Sequence, residues 1–133
     1  MKDYQIIRKY RLKIYAFDVD ETLETSNGPV TLAMLCELKD QGHIVGICGN
    51  WAGFAHCIHG WWNLVSFINV AAPKDVFLAE LKRYVPADDF IMVGNMFGRV
   101  NSLGLTCGSY DDVAANNAGW RFILEDDFAA GKR

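Results

Sequence analysis

The stretch Lys13-Ile14-Tyr15-Ala16-Phe17-Asp18-Val19-Asp20-Glu21-Thr22-Leu23 decides the fold that we expect for this chain. Its first half is apolar and β-prone, which predicts a buried strand. Two carboxylates and a hydroxyl follow directly. In an open α/β sheet, ligands bind in the crevice at the carboxyl ends of the strands, which is where these side chains would lie. Acids this close repel each other, and a divalent cation that prefers oxygen ligands, such as Mg²⁺, relieves the repulsion. On these residues alone, an acidic turn that caps the next helix is an equally good interpretation.

The rest of the chain alternates between strand and helix patterns, which indicates a parallel sheet with helical crossovers. Apolar runs predict strands over residues 14–17, 43–48, 66–70, 90–93 and 120–124. Helical spacing, with Thr31 as a cap and Gly42 and Gly119 as ends, predicts helices over residues 32–41, 51–64, 74–85 and 111–118. Residues 129–133 are expected to fray. We predict an α/β fold, a single Rossmann-like three-layer domain over residues 1–133 with a central parallel sheet of about five strands.

Composition limits the classes of protein to which the chain can belong. With 133 residues, 51% of them hydrophobic, it is long enough for one domain and too short for two. The net charge of −3 argues against a general affinity for the nucleic acid backbone. The four cysteines form no C-x-x-C pair, and no stretch has the layout of a signal peptide or the ~20 apolar residues of a membrane span. We expect a cytoplasmic protein that does not enter a membrane.

The run Asp18-Val19-Asp20-Glu21-Thr22-Leu23 resembles the first motif of the haloacid dehalogenase superfamily phosphatases, an Asp-x-Asp-x-Thr/Val-Leu run after the central strand. The resemblance covers about residues 12–127 and implies a small member without a cap domain. It implies that Asp18 is the nucleophile, that Asp20 serves as acid and base, and that Thr22 lies beside the phosphate. The implied reaction is Mg²⁺-dependent hydrolysis of a phosphate monoester through an aspartyl-phosphate.

The second and third motifs of that family bind the phosphoryl group, and this chain matches them unevenly. A Ser or Thr is usual at the end of the second strand, whereas Gly49 and Asn50 stand here. The N–H of Gly49 or the amide of Asn50 would have to donate instead. The third motif is a Lys at the start of a helix, and Lys74 after Pro73 matches it. Because a helix N-terminus disfavours a cation, an anionic partner for Lys74 becomes more attractive.

The fourth motif of the family completes the metal site, and here it also departs from the usual pattern. Asn95 stands where an Asp is usual. The later acid is Asp111 or its neighbour Asp112, and the spacing to the following Ala-Ala pair and Gly favours Asp111. With one negative charge fewer, Mg²⁺ should bind more weakly than in relatives. The implied ligands are Asp18, the main-chain carbonyl of Asp20, Asn95 and Asp111.

Two features bear on the substrate. Neither usual insertion point has room for a cap domain, so the site is open to a large substrate, or to a second copy of the chain or a partner that covers it. The insertion between Asn95 and Asp111 contains Gly98-Arg99, which resembles the polynucleotide 3′-phosphatase branch. The implied substrates are a phosphorylated small molecule or a 3′-phosphorylated nucleic acid end.

A second class of function stays open beside hydrolysis. Gly49 and Asn95 are also what we expect in a catalytically weak relative that binds a phosphorylated ligand or a protein partner. Replacing Asn95 with Asp separates the two classes, because an enzyme limited by its metal site gains activity and a binding protein does not.

Three further clusters have structural interpretations. His56, Cys57 and His59 do not converge as zinc ligands, because Cys57 points about 100° away from His56 on a helix. The aromatic residues between positions 51 and 62 fit core packing better than base stacking. The basic segment Arg8-Lys9-Tyr10-Arg11-Leu12-Lys13 is more often a solvated lead-in than a binding patch.

Overall fold

The computed structural model describes residues 11–70 and 72–133, where the chain forms one sheet of five parallel strands flanked by helices. The strands are β1 (Lys13–Phe17), β2 (Ile44–Ile47), β3 (Phe67–Ile68), β4 (Asp89–Gly94) and β5 (Arg121–Leu124). The helices are α1 (Leu32–Asp40), α2 (Trp51–Cys57), α3 (Lys74–Tyr84), α4 (Asp111–Ala118) and α5 (Glu125–Ala129). Short 3₁₀ turns lie at Glu24–Ser26 and Trp61–Asn63. The predicted α/β class and five-stranded parallel sheet are confirmed.

The strand that carries the acidic motif lies at the centre of the sheet. The order is β3-β2-β1-β4-β5, and each neighbouring pair is parallel. β1 pairs with β4 from Lys13 opposite Asp89 to Phe17 opposite Val93. Because all strands run the same way, their carboxyl ends meet at one edge, and the segments that follow β1, β2 and β4 lie side by side there.

Helices cover both faces of the sheet. Successive side chains of a strand point to opposite faces, so each face has its own core. Tyr15 lies in a core that α1, α2 and α5 cover. Ile14 lies in a second core with Leu78 of α3 and Ala115 of α4. The result is the three-layer arrangement expected from the alternation of strands and helices.

Local signals set several element ends where they were predicted. Thr31 Oγ1 accepts a hydrogen bond from the Met34 N–H at 3.2 Å and caps α1. Gly119 follows α4 with a φ of 76°, a left-handed conformation that favours glycine at the end of a helix.

The prediction of one helix over residues 51–64 is wrong in its second half. α2 ends at Cys57 because Ile58 is extended, and Gly60 follows two residues later with a φ of 78°. Only the 3₁₀ turn Trp61–Asn63 follows. A glycine in the left-handed region commonly ends a helix, so Gly60 was the signal that the prediction passed over.

The C-terminal residues differ from the prediction that they fray. β5 runs directly into α5, whose first turn contains three acidic residues. Arg133 Nη1 donates to the carbonyl oxygen of Phe128 at 2.6 Å. Acids favour a helix start, so the run Glu125-Asp126-Asp127 was the available signal for this helix.

Part of the basic segment, Arg8 and Lys9, lies outside the described residues. Within residues 11–70 and 72–133, no helix has both the length and the apolar character needed to cross a membrane.

Candidate functional site

The carboxyl edge of the sheet brings the predicted site residues together. Asp18 follows β1, Gly49 lies just beyond β2 and Asn95 follows β4. Lys74 and Asp111 are the first residues of α3 and α4. Residues up to 93 positions apart in the sequence therefore share one cluster, because parallel strands place their ends at the same edge.

Asp18 is the centre of this cluster and is 2% exposed. Its Oδ1 accepts a hydrogen bond from Lys74 Nζ at 2.7 Å. Its Oδ2 accepts from Thr22 Oγ1 and from Asn95 Nδ2, each at 3.0 Å. Three donors from three separate segments of the chain thus fix the carboxylate in one orientation.

Lys74 bridges two buried acids. Its Nζ donates to Asp111 Oδ1 at 2.6 Å as well as to Asp18. Burial alone lowers the pKa of Lys74, but the carboxylates of Asp18 and Asp111 outweigh it and raise the pKa above its usual value. Burial, and then the nearby Asp18, raise the pKa of Asp111 to about 7. Asp111, and not Asp112, contacts Lys74.

Asn95 is fully buried and links four groups around the site. Its Nδ2 donates to Asp18 Oδ2 and to the Asp20 carbonyl oxygen, both at 3.0 Å, and lies 3.3 Å from Thr22 Oγ1. Its Oδ1 accepts from the Ser109 N–H at 3.1 Å. A backbone N–H can only donate, so this contact identifies which end of the amide is the oxygen.

Two glycines make room for the buried acids. A Cβ at Gly49 would lie 2.7 Å from Asp18 Oδ1, closer than real Cβ contacts come. A Cβ at Gly94 would lie 2.4 Å from Asp111 Oδ2. The Asp18 carboxylate is therefore packed against the bare backbone of Gly49, where a side chain would not fit without a shift.

An open cleft lies over the cluster and gives ligands access to it. Its volume is about 390 Å³, and Asp18, Asp20, Gly49 and Lys74 are among its lining residues. Asp20 is exposed, and one of its carboxylate oxygens accepts from Asn50 Nδ2 at 3.3 Å. Asn50 also caps α2, since its Oδ1 accepts from the Gly53 N–H at 3.1 Å. The Asn50 amide thus fixes both the helix start and one oxygen of Asp20.

The insertion between Asn95 and Asp111 is anchored at two places, on α5 and on the loop that follows Asp20. The Arg99 guanidinium pairs with the fully buried Glu125 and, at 2.9 Å, with Asp126 of α5. Asn101 Nδ2 donates to the carbonyl oxygens of Glu21 and Asn27 in the loop after Asp20. Arg99, the arginine of the Gly98-Arg99 pair, therefore joins the insertion to α5.

Sequence reasoning missed the contribution of Ser109. Its N–H fixes the Asn95 amide, and the residue also lines the cleft. A backbone donor leaves no trace in the pattern of side chains, so no sequence signal was available. Asn69 is a second omission, because it lines the same cleft with 7% of its surface exposed.

The oxygens that the resemblance assigns to Mg²⁺ already accept hydrogen bonds within the protein. Asp18 Oδ2 and the Asp20 carbonyl both accept from Asn95 Nδ2, and Asn95 Oδ1 accepts from Ser109. Both Asp111 oxygens also accept, from Lys74 Nζ and from the Asn95 N–H. Mg²⁺ requires near-octahedral oxygen ligands, which this arrangement does not offer. The residues as arranged do not fit the ion.

The possible zinc ligands and the aromatic residues between positions 51 and 62 are the two remaining clusters. In the described part of the chain, no group of three or more His, Cys, Asp or Glu side chains has an arrangement that could hold a metal ion. Phe54 is buried, Trp51 and Trp61 pack against the same core, and Trp62 is 58% exposed.

Comparisons of the chain with protein-family models, with curated proteins and with solved structures found no match. The interpretation of the site therefore depends on the motifs and on the geometry described above.

Proposed function

We propose that this chain hydrolyses a phosphate monoester through an aspartyl-phosphate on Asp18. The observation that carries the proposal is the pairing of Asp18 with Lys74 at 2.7 Å beneath a cleft that Asp20 also lines. A nucleophile, a cation and an acid–base group in one open cleft are the groups that such a reaction needs. Sugar phosphates, nucleotides and 3′-phosphorylated nucleic acid ends are the substrates to be tested.

In the first step, a carboxylate oxygen of Asp18 attacks phosphorus and the bond from phosphorus to the ester oxygen breaks. Asp20, as the carboxylic acid, gives its proton to the departing oxygen. In the second step, Asp20 as the carboxylate takes a proton from the water that attacks phosphorus, and the bond between phosphorus and Asp18 breaks. Lys74 and the N–H of Gly49 stabilise the phosphoryl oxygens.

The charge of the cluster predicts slow turnover. With Asp18 and Asp111 ionised, Lys74 protonated and Asp20 carrying the proton that it donates in the first step, the net charge is two negative and one positive, which is −1. A phosphate dianion is repelled by such a site. The raised pKa of Asp111 reduces this repulsion near neutral pH. The family resemblance predicts Mg²⁺ as the cofactor, whereas the hydrogen bonds of the Asn95 amide do not favour it, so the assay is run with and without the ion.

The test measures phosphate release from an aryl phosphate, from sugar phosphates and nucleotides, and from 3′-phosphorylated oligonucleotides, with Mg²⁺ or with EDTA. We expect turnover that disappears in Asp18→Asn and persists in Asp40→Asn, which removes the same charge from an exposed position on α1. Folded wild-type protein that releases no phosphate from any substrate at high Mg²⁺ would remove the basis for hydrolysis.

A second candidate function is the binding of a phosphorylated ligand or a protein partner without hydrolysis. The Asn95 amide favours it, because this group faces Asp18 Oδ2 and the Asp20 carbonyl with hydrogens rather than with an oxygen. In the same assay, Asn95→Asp with Mg²⁺ raises the rate if the chain is an enzyme limited by this position. A binding protein stays silent with either residue.

A further inference from the structure

We infer that the Asn95 amide takes the place of a divalent cation in this site, so that the wild-type chain holds its acidic cluster together without Mg²⁺ and excludes the ion. The inference concerns the binding of cations. It is independent of whether the chain hydrolyses phosphate esters.

Three oxygens converge on one point of the site, and Asn95 Nδ2 occupies that point. The two nearest, Asp18 Oδ2 and the Asp20 carbonyl oxygen, are both 3.0 Å away, and Thr22 Oγ1 is 3.3 Å away. An amide nitrogen carries two hydrogens, which serve the carboxylate and the carbonyl. The Thr22 hydroxyl uses its own hydrogen on Asp18 Oδ2. The Asn95 NH₂ group therefore supplies the positive partial charge that a bound cation would otherwise bring to these oxygens.

The direction of the amide is fixed from its other end. Ser109 N–H donates to Asn95 Oδ1 at 3.1 Å, and Asn95 is fully buried. If the amide turned over, its NH₂ would face the Ser109 N–H and its oxygen would face Asp18 Oδ2. Both new contacts are repulsive, and both leave buried polar groups without partners.

The backbone of Asn95 adds a second restraint on its position. Its N–H donates to Asp111 Oδ2 at 3.0 Å, and its carbonyl oxygen accepts from the Asp111 N–H at 3.2 Å. Asp111 is in turn held by Lys74. Asn95 therefore cannot withdraw from the convergence point without disturbing the Lys74 bridge.

An ion would have to displace this amide to reach the oxygens. Mg²⁺ binds oxygen at about 2.0–2.1 Å, so it needs the space between Asp18 Oδ2 and the Asp20 carbonyl that Nδ2 fills. An Asp at position 95 has the opposite requirement. Its oxygens would repel Asp18 Oδ2 unless a cation lay between them.

The test measures Mn²⁺ binding, as loss of the free-ion electron paramagnetic resonance signal, with no substrate present. The proteins are the wild type, Asn95→Asp and Asn117→Asp. The last makes the same substitution on the exposed surface of α4 and so controls for net charge. We expect Asn95→Asp to bind Mn²⁺ at least about tenfold more tightly than the wild type, with Mg²⁺ in competition, and Asn117→Asp to match the wild type.

Wild-type protein that binds Mn²⁺ as tightly as Asn95→Asp would overturn the inference. So would a folded Asn95→Asp that gains no affinity, because something other than the amide would then exclude the ion.

If Asn95→Asp does not fold without metal, Asn95→Ala replaces it, since it removes the amide and adds no charge. We expect Mg²⁺ to raise the Tm of Asn95→Ala and to leave that of the wild type unchanged, and equal shifts contradict the inference. Phosphatase activity enters neither measurement.

Discussion

At Gly49, the space beside Asp18 depends on the absence of one carbon atom. A Cβ there would lie 2.7 Å from Asp18 Oδ1 and 3.1 Å from the Val19 backbone nitrogen. Asp18 is held by donors on both oxygens, so it has little freedom to move away. A serine here, as in the phosphatases whose motifs this chain resembles, would therefore crowd the carboxylate.

We predict that Gly49→Ser lowers the free energy of unfolding by about 1–3 kcal/mol, the usual cost of overpacking a buried site. Urea unfolding measures it. Gly108→Ser is the matched control, because nothing lies within 4 Å of a Cβ built there, and it should change stability by no more than about 0.5 kcal/mol. If the two variants are equally stable, the crowding argument fails.

Asp111 gives the site a pH dependence that can be derived from its burial. Burial, and then Asp18, raise its pKa in the folded protein from 3.8 to about 7. The folded chain therefore holds the proton more tightly than the unfolded chain does. The resulting stabilisation is fully present below pH 3.8 and is lost as the pH rises to about 7.

We predict that the stability of the wild type relative to Asp111→Asn decreases as the pH rises from about 4 to 7. Asparagine has nearly the same shape and does not titrate, so the difference between the two proteins isolates this carboxyl. Urea unfolding at half-unit steps of pH measures it. A difference that stays constant or grows over this range would mean that Asp111 is ionised in the folded protein well below neutral pH.

At the scale of elements, local patterns predicted where most strands and helices lie, and they failed where a contact or a single backbone angle decides. Thr31 and Gly119 were readable as helix ends because capping depends on the immediate neighbours. α2 ends where Ile58 becomes extended, and Gly60, two residues later, has a left-handed angle; the apolar pattern of residues 51–64 concealed both. α5 also depends on burial of Phe128, which the acidic run Glu125-Asp126-Asp127 does not reveal by itself.

The ion pair between Arg99 and Glu125 is one of the contacts that hold the insertion over residues 96–110. Glu125 is fully buried, and Arg99 is the cation against it. A buried carboxylate that loses a charge partner is costly, whereas an exposed pair contributes little. Arg121 and Asp89 form such a surface pair at 3.0 Å and provide a comparison within the same chain.

We predict that Arg99→Met lowers the free energy of unfolding by about 3–5 kcal/mol, since Met keeps an unbranched apolar stem and removes the cation that faces the buried Glu125. Arg121→Met should cost less than about 1 kcal/mol. Thermal and urea unfolding measure both. Adding Glu125→Gln to Arg99→Met should recover part of the loss, and a double variant no more stable than Arg99→Met would contradict the role of the unpaired charge.

At the scale of the whole molecule, the fold and the location of the site follow from one regularity. The chain alternates strand and helix, so the carboxyl ends of its parallel strands meet and carry Asp18, Gly49 and Asn95 to one edge. The chemistry of that edge was less predictable. The direction of the Asn95 amide depends on the Ser109 N–H, a backbone group from the far end of an insertion that no side-chain pattern encodes.

The four cysteines lie in two environments, two on the surface and two in the interior, so their reactivity tests the packing of the whole molecule. Cys36 and Cys57 are exposed, whereas Cys48 and Cys107 are buried. Burial raises the pKa of Cys48 to about 12 and also raises that of Cys107. The thiolate is the reactive form, so these two thiols are protected both by access and by protonation.

We predict that native protein at about pH 8 reacts rapidly with two equivalents of a disulfide reagent such as DTNB, and with four after unfolding, which matches the four cysteines of the chain. The double variant Cys36→Ser, Cys57→Ser should lose the rapid phase and keep two thiols that react only on unfolding. A third rapid equivalent in the wild type would contradict the burial of Cys48, which directly follows β2 beside the site, or of Cys107, which lies in the insertion. Any rapid reaction that remains in the double variant would come from one of these two thiols, and peptide mapping of the labelled thiol shows which segment is open in solution.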